Sequence, residues 1–276
     1  MIQPIIEEPF QFFIESQPMI VIGTTDSIGN LWSSLICGES GFIRVINDRT
    51  LQIHIQEHKK DGWFTHVKSN FNVGLLVIEF STRIRVRING IARIIAEDIV
   101  EVKTEQVYSN CPKYIQSRQI YSNKQRGPTT LASIGGKKLS DHQKEWIGNA
   151  DTFFLSSSNS EGKTDVSHRG GHPGFIEVMN DRKVIYPDYV GNMMFNTLGN
   201  IVENERTGLL FIDFEHGHTL QLTGESSIIW ELTTEEKQRF PGAMRLIAYD
   251  ILNIRENQSS LPYKWDFINE SPFNPK

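Results

Sequence analysis

Eleven residues, Asp165-Val166-Ser167-His168-Arg169-Gly170-Gly171-His172-Pro173-Gly174-Phe175, combine an Arg, a Ser and three glycines where a strand runs into a turn. The combination suits a phosphate group. Arg offers a rigid, permanently charged fork of donors, Ser adds a hydroxyl, and glycine lets a ligand approach the backbone closely. A surface turn with Arg169 paired to Asp165 or Asp181 would read the same way. In the next segment, Tyr186 to Ile201, the residues Asn192, Asn196 and Asn200 recur at i, i+4, i+8, while Met194, Leu198, Ile201 and Val202 trace an apolar helix face. Asn in a helix interior costs roughly half a kcal/mol or more against Ala, so the stripe serves something other than the helix. That something is a ligand, or water and neighbouring backbone. Asn192 suits an N-cap, and the N–H groups behind it would face an anion.

Arg83, Arg85 and Arg87 alternate with Ile84, Val86 and Ile88, which puts three guanidinium groups on one strand face, either solvated or forming an anion clamp. Cys111 stands alone before Pro112 and reads first as a small buried hydrophobe. His168 and His172 have no third metal ligand in the pattern, so no metal is expected. Trp230 and Trp265 read as core or interface residues. No Cys, His or Ser has a recognisable partner for acid–base catalysis.

The elements that must position these groups are written twice along the chain. Gly41-Phe42-Ile43-Arg44-Val45-Ile46-Asn47-Asp48-Arg49 matches the nine residues from Gly174 to Arg182 with seven identities, at an offset of 133. Gly29 and Ser34 fall on Gly162 and Ser167 in that register. Gly74-Leu75-Leu76-Val77-Ile78-Glu79-Phe80 then matches Gly208 to Phe214 at an offset of 134. A repeat identifies a unit before any fold is assumed. Each copy holds short apolar runs divided by turn signals, at 19–22, 42–46, 75–80 and 84–88 and at 153–155, 175–179, 209–214 and 219–223. Alternation over Asp98–Val107 and Ala243–Ile254 predicts a closing strand in each. One helix is expected per copy, near 61–70 and 192–204. The result is a small barrel whose edges are closed or covered. Residues 122–150 read as a linker with the loop Gln125-Arg126-Gly127-Pro128 and a helix opened by a Ser140–Gln143 capping box, and a second box spans Thr233–Glu236.

Composition is that of a folded chain: 276 residues with 38% hydrophobic and 22% charged side chains. The 33 acidic and 28 basic residues give a net charge of −5 without long runs of one sign, which points away from nucleic acid and anionic membranes. Neither a secretory signal nor an apolar stretch of about 18 residues is present, so a cytoplasmic protein is expected. Two cysteines are too few for a disulfide framework.

The patterns Asp-Val-Ser-x-Arg-Gly-Gly-x-Pro-Gly-Phe (165–175), Tyr-Pro-Asp-Tyr-x-Gly-Asn-x-Met-Phe-Asn-Thr-Leu-Gly-Asn (186–200), Gly-Leu-Leu-Phe-Ile-Asp-Phe (208–214) and Leu-Gln-Leu-Thr-Gly (220–224) resemble the pyridoxamine 5'-phosphate oxidase-related FMN-binding split-barrel proteins. The first half resembles one branch of that family through Gly74–Arg83, Arg87–Gly90 and Asn110–Gln116. The resemblance implies a mainly β chain with short helices, built as two tandem split β-barrels: a degenerate barrel at 1–121, the linker at 122–150 and an FMN-binding barrel at 151–276. It implies that Ser167 and Arg169 hold the FMN phosphate with Asn196 and Asn192. Val166 would present backbone to the flavin, Tyr186, Pro187 and Asp188 would lie along it, and Asn200 would lie deeper. Family members place FMN between two barrels, so the first copy is expected to pack against the second as a pseudo-dimer within one chain, with a homodimer of chains left open. The activity implied is an FMN-dependent oxidoreductase acting on an unidentified small molecule with NADH or NADPH as a candidate partner. The alternative is a carrier of flavin or haem without turnover. The basic residues that recognise a pyridoxal-type substrate in the vitamin-oxidising members have no evident match. At the repeat offset Arg169 falls on Ile36, and Asn192, Asn196 and Asn200 fall on His58, Gly62 and His66, so one FMN per chain is expected.

Overall fold

Turn chemistry frames both halves of the molecule. Gly29 and Gly162 adopt φ of 87° and 79°, and Gly41 and Gly174 adopt 88° and 90°. These are left-handed conformations that glycine enters without a Cβ penalty. Each pair is a single turn position met twice at the repeat offset. The protein is described by a computed structural model that covers residues 2–55, 62–122, 132–191, 195–258 and 261–276.

The first half runs α1 (Glu8–Ser16), β1 (Met19–Thr25), β2 (Leu31–Cys37), β3 (Ile43–Asn47), β4 (Thr50–His54), α2 (Gly62–Ser69), β5 (Asn72–Glu79), β6 (Ile84–Ala96) and β7 (Ile99–Ser109). Then come β8 (Ser117–Ser122), β9 (Ala132–Gly136) and α3 (Asp141–Asn149). The second half runs β10 (Thr152–Ser158), β11 (Thr164–Gly170), β12 (Glu177–Asn180), β13 (Lys183–Tyr189), α4 (Asn196–Glu203), β14 (Arg206–Ile212), β15 (Thr219–Ile229), α5 (Thr234–Arg239), β16 (Ala243–Gln258) and β17 (Tyr263–Asn269).

One sheet has the order β2-β1-β5-β6-β7-β4-β3 and the other β11-β10-β14-β15-β16-β13-β12, with β9 added beside β16. These are the same order in equivalent strands. Even the irregularities repeat: the ladder slips at Asn89/Gly90 in β6 and at Thr223/Gly224 in β15. The chain is therefore mainly β with short helices, arranged as two tandem split barrels. Both expected closing strands are present as β7 and β16, and both capping boxes close as expected on α3 and α5.

The helix expected near 192–204 starts later than its sequence suggested. It begins at Asn196, its N-cap is Phe195 with no side-chain cap, and Asn192 lies outside the described residues. The Gln125–Pro128 loop also lies outside them. Other parts of 122–150 are integrated with the second sheet, since β9 pairs with β16 and Leu139 and Ile147 are buried in that barrel's core. At the C-terminal end, β17 returns to pair with β8.

Each barrel has its own apolar core, and a third cluster lies between them, containing Met19, Val21, Leu35, Leu76 and Ile78 from one half and Phe154, Val166, Leu210 and Ile212 from the other. Two close approaches form an exchanged pair. A Cβ on Gly74 would meet the Asp165 backbone at 2.8 Å, and one on Gly208 would meet the Leu31 carbonyl oxygen at 2.6 Å. Glycine at both positions lets the sheets touch backbone to side, which a larger residue would prevent. No described helix is long and apolar enough to cross a membrane.

Candidate functional site

Because β6 alternates, Arg85, Arg87 and Asn89 share one side of the strand, and that side faces β11 of the second barrel. Arg87 Nη1 donates to Asp165 Oδ2 at 2.8 Å, while Asn89 Nδ2 and Tyr108 OH donate to Oδ1 at 3.1 and 2.8 Å. Asp165 is only 3% exposed, and its buried carboxylate is satisfied by three donors. Burial works against the charge on Arg87, but Asp165 and Tyr108 together outweigh it and hold the guanidinium above its ordinary pKa. Burial and the Asp165 charge raise Tyr108 as well, keeping its hydroxyl protonated as a donor. Asn196 at the start of α4 donates to that hydroxyl at 2.9 Å. This network fastens one barrel to the other.

On one side of the network lies a cleft of about 260 Å³ between the barrels. Five cations line it, Arg85, Arg87, Lys113, Arg169 and Arg245, against one carboxylate, Asp188. Arg169 Nη1 meets Asp188 Oδ1 at 2.6 Å, and Arg245 Nε lies 3.6 Å from Oδ2. Arg85 donates to the carbonyls of His168 and Cys111 at 3.4 and 3.0 Å. Burial, then the neighbouring Arg87 charge, pushes Arg85 down to about 9. His168 is held neutral, well below its ordinary value, by burial and by Arg85, Arg118 and Arg169. Across the mouth, the Tyr114 hydroxyl and Lys113 Nζ donate to the Val190 carbonyl at 2.9 and 3.4 Å, and the rings of Tyr114 and Tyr189 lie 5.1 Å apart.

The residues singled out in sequence divide among different surroundings. Arg169, Pro187 and Asp188 line the cleft, as do Arg85, Arg87, Cys111 and His168. Ser167 is buried beside it, accepting a hydrogen bond from Thr197 at 3.4 Å. Val166 packs in the cluster between the barrels and Tyr186 in the second core. Asn196 and Asn200 line a different cavity beyond the Asp165 network, and Asn200 donates to Ser157 at 3.0 Å. The three arginines do not act together: Arg83 precedes β6 at φ 59° and donates to the Ile115 carbonyl at 2.8 Å. Trp230 is 57% exposed and so is not a core residue, and it carries Arg245 5.5 Å above its ring. His172 accompanies Glu270 at the surface, and no cluster of three metal-ligating side chains occurs among the described residues.

Lys113, Tyr114, Asp165, Tyr108 and Arg245 were not singled out as site residues. Arg245 had no signal beyond strand alternation. Asp165 lies in a strand that is buried along almost its whole length, so its carboxylate needs buried partners, which the polar sequence Thr164–Gly170 does not announce.

Residues 139–261 match the family model of pyridoxamine 5'-phosphate oxidase. That match lies within the second half of the chain. Solved structures similar to this chain include a putative pyridoxamine 5'-phosphate oxidase from Lactobacillus delbrueckii, with 15% identity, 44% of this chain and 97% of that chain covered, and a TM-score of 0.35. HupZ from Group A Streptococcus shares 16% identity, with 42% and 91% covered and a TM-score of 0.35. An FMN-binding protein from Syntrophomonas wolfei shares 15%, with 41% and 81% covered and a TM-score of 0.32. No curated protein matches the chain.

The oxidase-like barrel supplies one wall of the cleft, and the fit of this cleft to an anionic cofactor can be judged from unused hydrogen-bonding groups. The Nε atoms of Arg85, Arg87 and Arg169 and both ring nitrogens of His168 are buried without a partner among the described residues. Orphaned donors of this kind are rare in folded proteins. Even with Arg87 paired to Asp165, and Asp188 shared between Arg169 and Arg245, the cleft keeps an excess of positive charge, and an anion relieves both deficits. The residues fit a phosphorylated cofactor.

Proposed function

We propose that the cleft binds FMN and that the protein is a flavin-dependent oxidoreductase of the pyridoxamine 5'-phosphate oxidase-like family acting on a small molecule. The observation that carries this reading is the ring of buried guanidinium groups with unused donors, set in a barrel of that family. Arg169, with Arg85 and Arg87 from the first barrel, holds the phosphate. Pro187 and Asp188 flank the flavin, and Asp188 keeps Arg169 oriented through their 2.6 Å contact. Neutral His168 forms part of the wall without adding charge. Bound flavin supplies the hydride chemistry, and the protein supplies position, field and exclusion of water.

Titrating apoprotein with FMN and with riboflavin tests the anion assignment. FMN should bind at least a hundredfold more tightly, because a phosphate held by two charge-assisted contacts is worth about 3 kcal/mol or more. Equal affinities would overturn it. Turnover is tested separately: NADH or NADPH under anaerobic conditions should bleach the bound flavin and air should restore it. Reduction by dithionite alone would favour a flavin carrier.

A further inference from the structure

The asparagine stripe of α4 does not face the cationic cleft. Asn196, Gly199, Asn200 and Glu203, at i, i+3, i+4 and i+7, make one helix face, and all four line a separate cavity of about 410 Å³ between the barrels. Six carboxamides converge there: Asn72, Asn89, Gln106, Asn159, Asn196 and Asn200. Some of their capacity holds the fold together, since Asn89 donates to Gln106 and Asp165, Asn196 to Tyr108 and Asn200 to Ser157. Much is unused. Asn72 makes no side-chain hydrogen bond as a donor or acceptor among the described residues, Gln106 uses only its oxygen, and the Asn89 side-chain oxygen is buried without a partner. Asn89 is itself 7% exposed. The carboxylates of Glu105 and Glu203 add acceptors, and Phe195, 51% exposed, adds an aromatic face.

Gly199 is the second observation. Glycine inside a helix costs about 1 kcal/mol against Ala, and nothing lies within 4 Å of where its Cβ would be. The fold does not demand glycine at this position. What glycine preserves is room in the cavity. Lys163 is the cavity's one basic side chain, against Glu105, Glu203 and Asp165, so a phosphate or carboxylate ligand is disfavoured there. Amides and carboxylates that offer donors and acceptors side by side match vicinal hydroxyls, and an exposed aromatic ring packs against the C–H face of a sugar.

We propose that this cavity binds a neutral polyhydroxylated ligand, either a free sugar or the ribose of a nucleoside. The site is distinct from the flavin cleft and does not depend on the flavin reading. Saturation-transfer NMR on the full-length protein with D-ribose, D-glucose and uridine provides the test. Signal from a free sugar supports a sugar site, and signal from uridine alone supports a nucleoside site. In either case Gly199→Leu, which fills the space and improves the helix, should abolish the signal, and Asn72→Leu should reduce it at least fivefold, with thermal unfolding unchanged in Asn72→Leu and unchanged or raised in Gly199→Leu. The absence of signal from all three probes at millimolar concentration would overturn the proposal. So would undiminished signal in both variants.

Discussion

The cationic cleft has a counterpart at the equivalent place in the first barrel, and the two differ at four charged positions. At the repeat offsets Arg169 corresponds to Ile36, Asp188 to Ile55, His168 to Leu35, Arg85 to Thr219 and Arg87 to Gln221. Ile36 and Ile55 are buried in the first core. Asp165 corresponds to Trp32, which is 5% exposed with Arg255 4.7 Å over its ring. Arg255 also fills the space next to Gly62, the counterpart of Asn196. The backbone frame is nevertheless conserved between the halves: Thr24 and His66 meet at 2.9 Å where Ser157 and Asn200 meet at 3.0 Å. A barrel can thus keep its register while exchanging the charged positions of a cleft for apolar ones. The first barrel's contribution to the cleft is instead the wall it presents to its neighbour, through Arg85 and Arg87.

The largest expected effect is at the position where the copies diverge most. Asp165→Ala leaves Arg87 buried and unpaired and strips Asn89 and Tyr108 of their acceptor, so it should cost about 3–5 kcal/mol of stability. Urea unfolding measures this, and a loss below about 1 kcal/mol would show that the network does not fasten the barrels. Next is Arg169→Ala, which makes the cleft resemble its counterpart. Losing a charge-assisted contact costs about 1.5–3 kcal/mol, so FMN affinity should fall tenfold to more than a hundredfold while the fold persists. Equal flavin retention would remove Arg169 from the site. The comparison also predicts stoichiometry: flavin released by denaturation should not exceed one per chain, and two would mean that Ile36 and Trp32 do not close the second position.

The sequence revealed the fold more fully than the site, for physical reasons. Turn glycines, apolar runs and capping boxes act locally, so Gly41, Gly174 and the Ser140–Gln143 box could be recognised before any strand was paired. The register of Gly74 against Gly208 then made the two halves superimpose. Ligand groups depend on where separate strands meet. The family resemblance grouped Asn196 with Arg169 as one phosphate set, yet the Asp165–Tyr108 network divides them into two cavities. Arg85 and Arg87 were recognised as a possible clamp, but Arg83 was grouped with them on alternation alone, although it stands before the strand at positive φ. Lys113 and Arg245 enter the cleft only through tertiary folding.

The smallest effect concerns His66, which stands where the second barrel has Asn200. Burial, reinforced by Arg255 and opposed by Asp26, holds His66 down to about 4 from an ordinary value of 6.5, while its Nδ1 lies 2.9 Å from the Thr24 hydroxyl. The folded imidazole is therefore neutral at pH 5 to 6, where the unfolded one takes up a proton. The unfolded state binds more protons in that window, so stability falls as pH drops from about 6.5 to about 4 and is insensitive to this group above it. His66→Asn keeps a hydrogen-bonding side chain of the second barrel's type and removes the titration. Urea midpoints at pH 7 and pH 4.5 should differ less in the variant than in the parent. Some acid sensitivity should remain, because His168 is also held neutral in the fold. An unchanged difference would show that His66 is protonated in the native state, and that the Thr24–His66 contact is not the neutral equivalent of Ser157–Asn200.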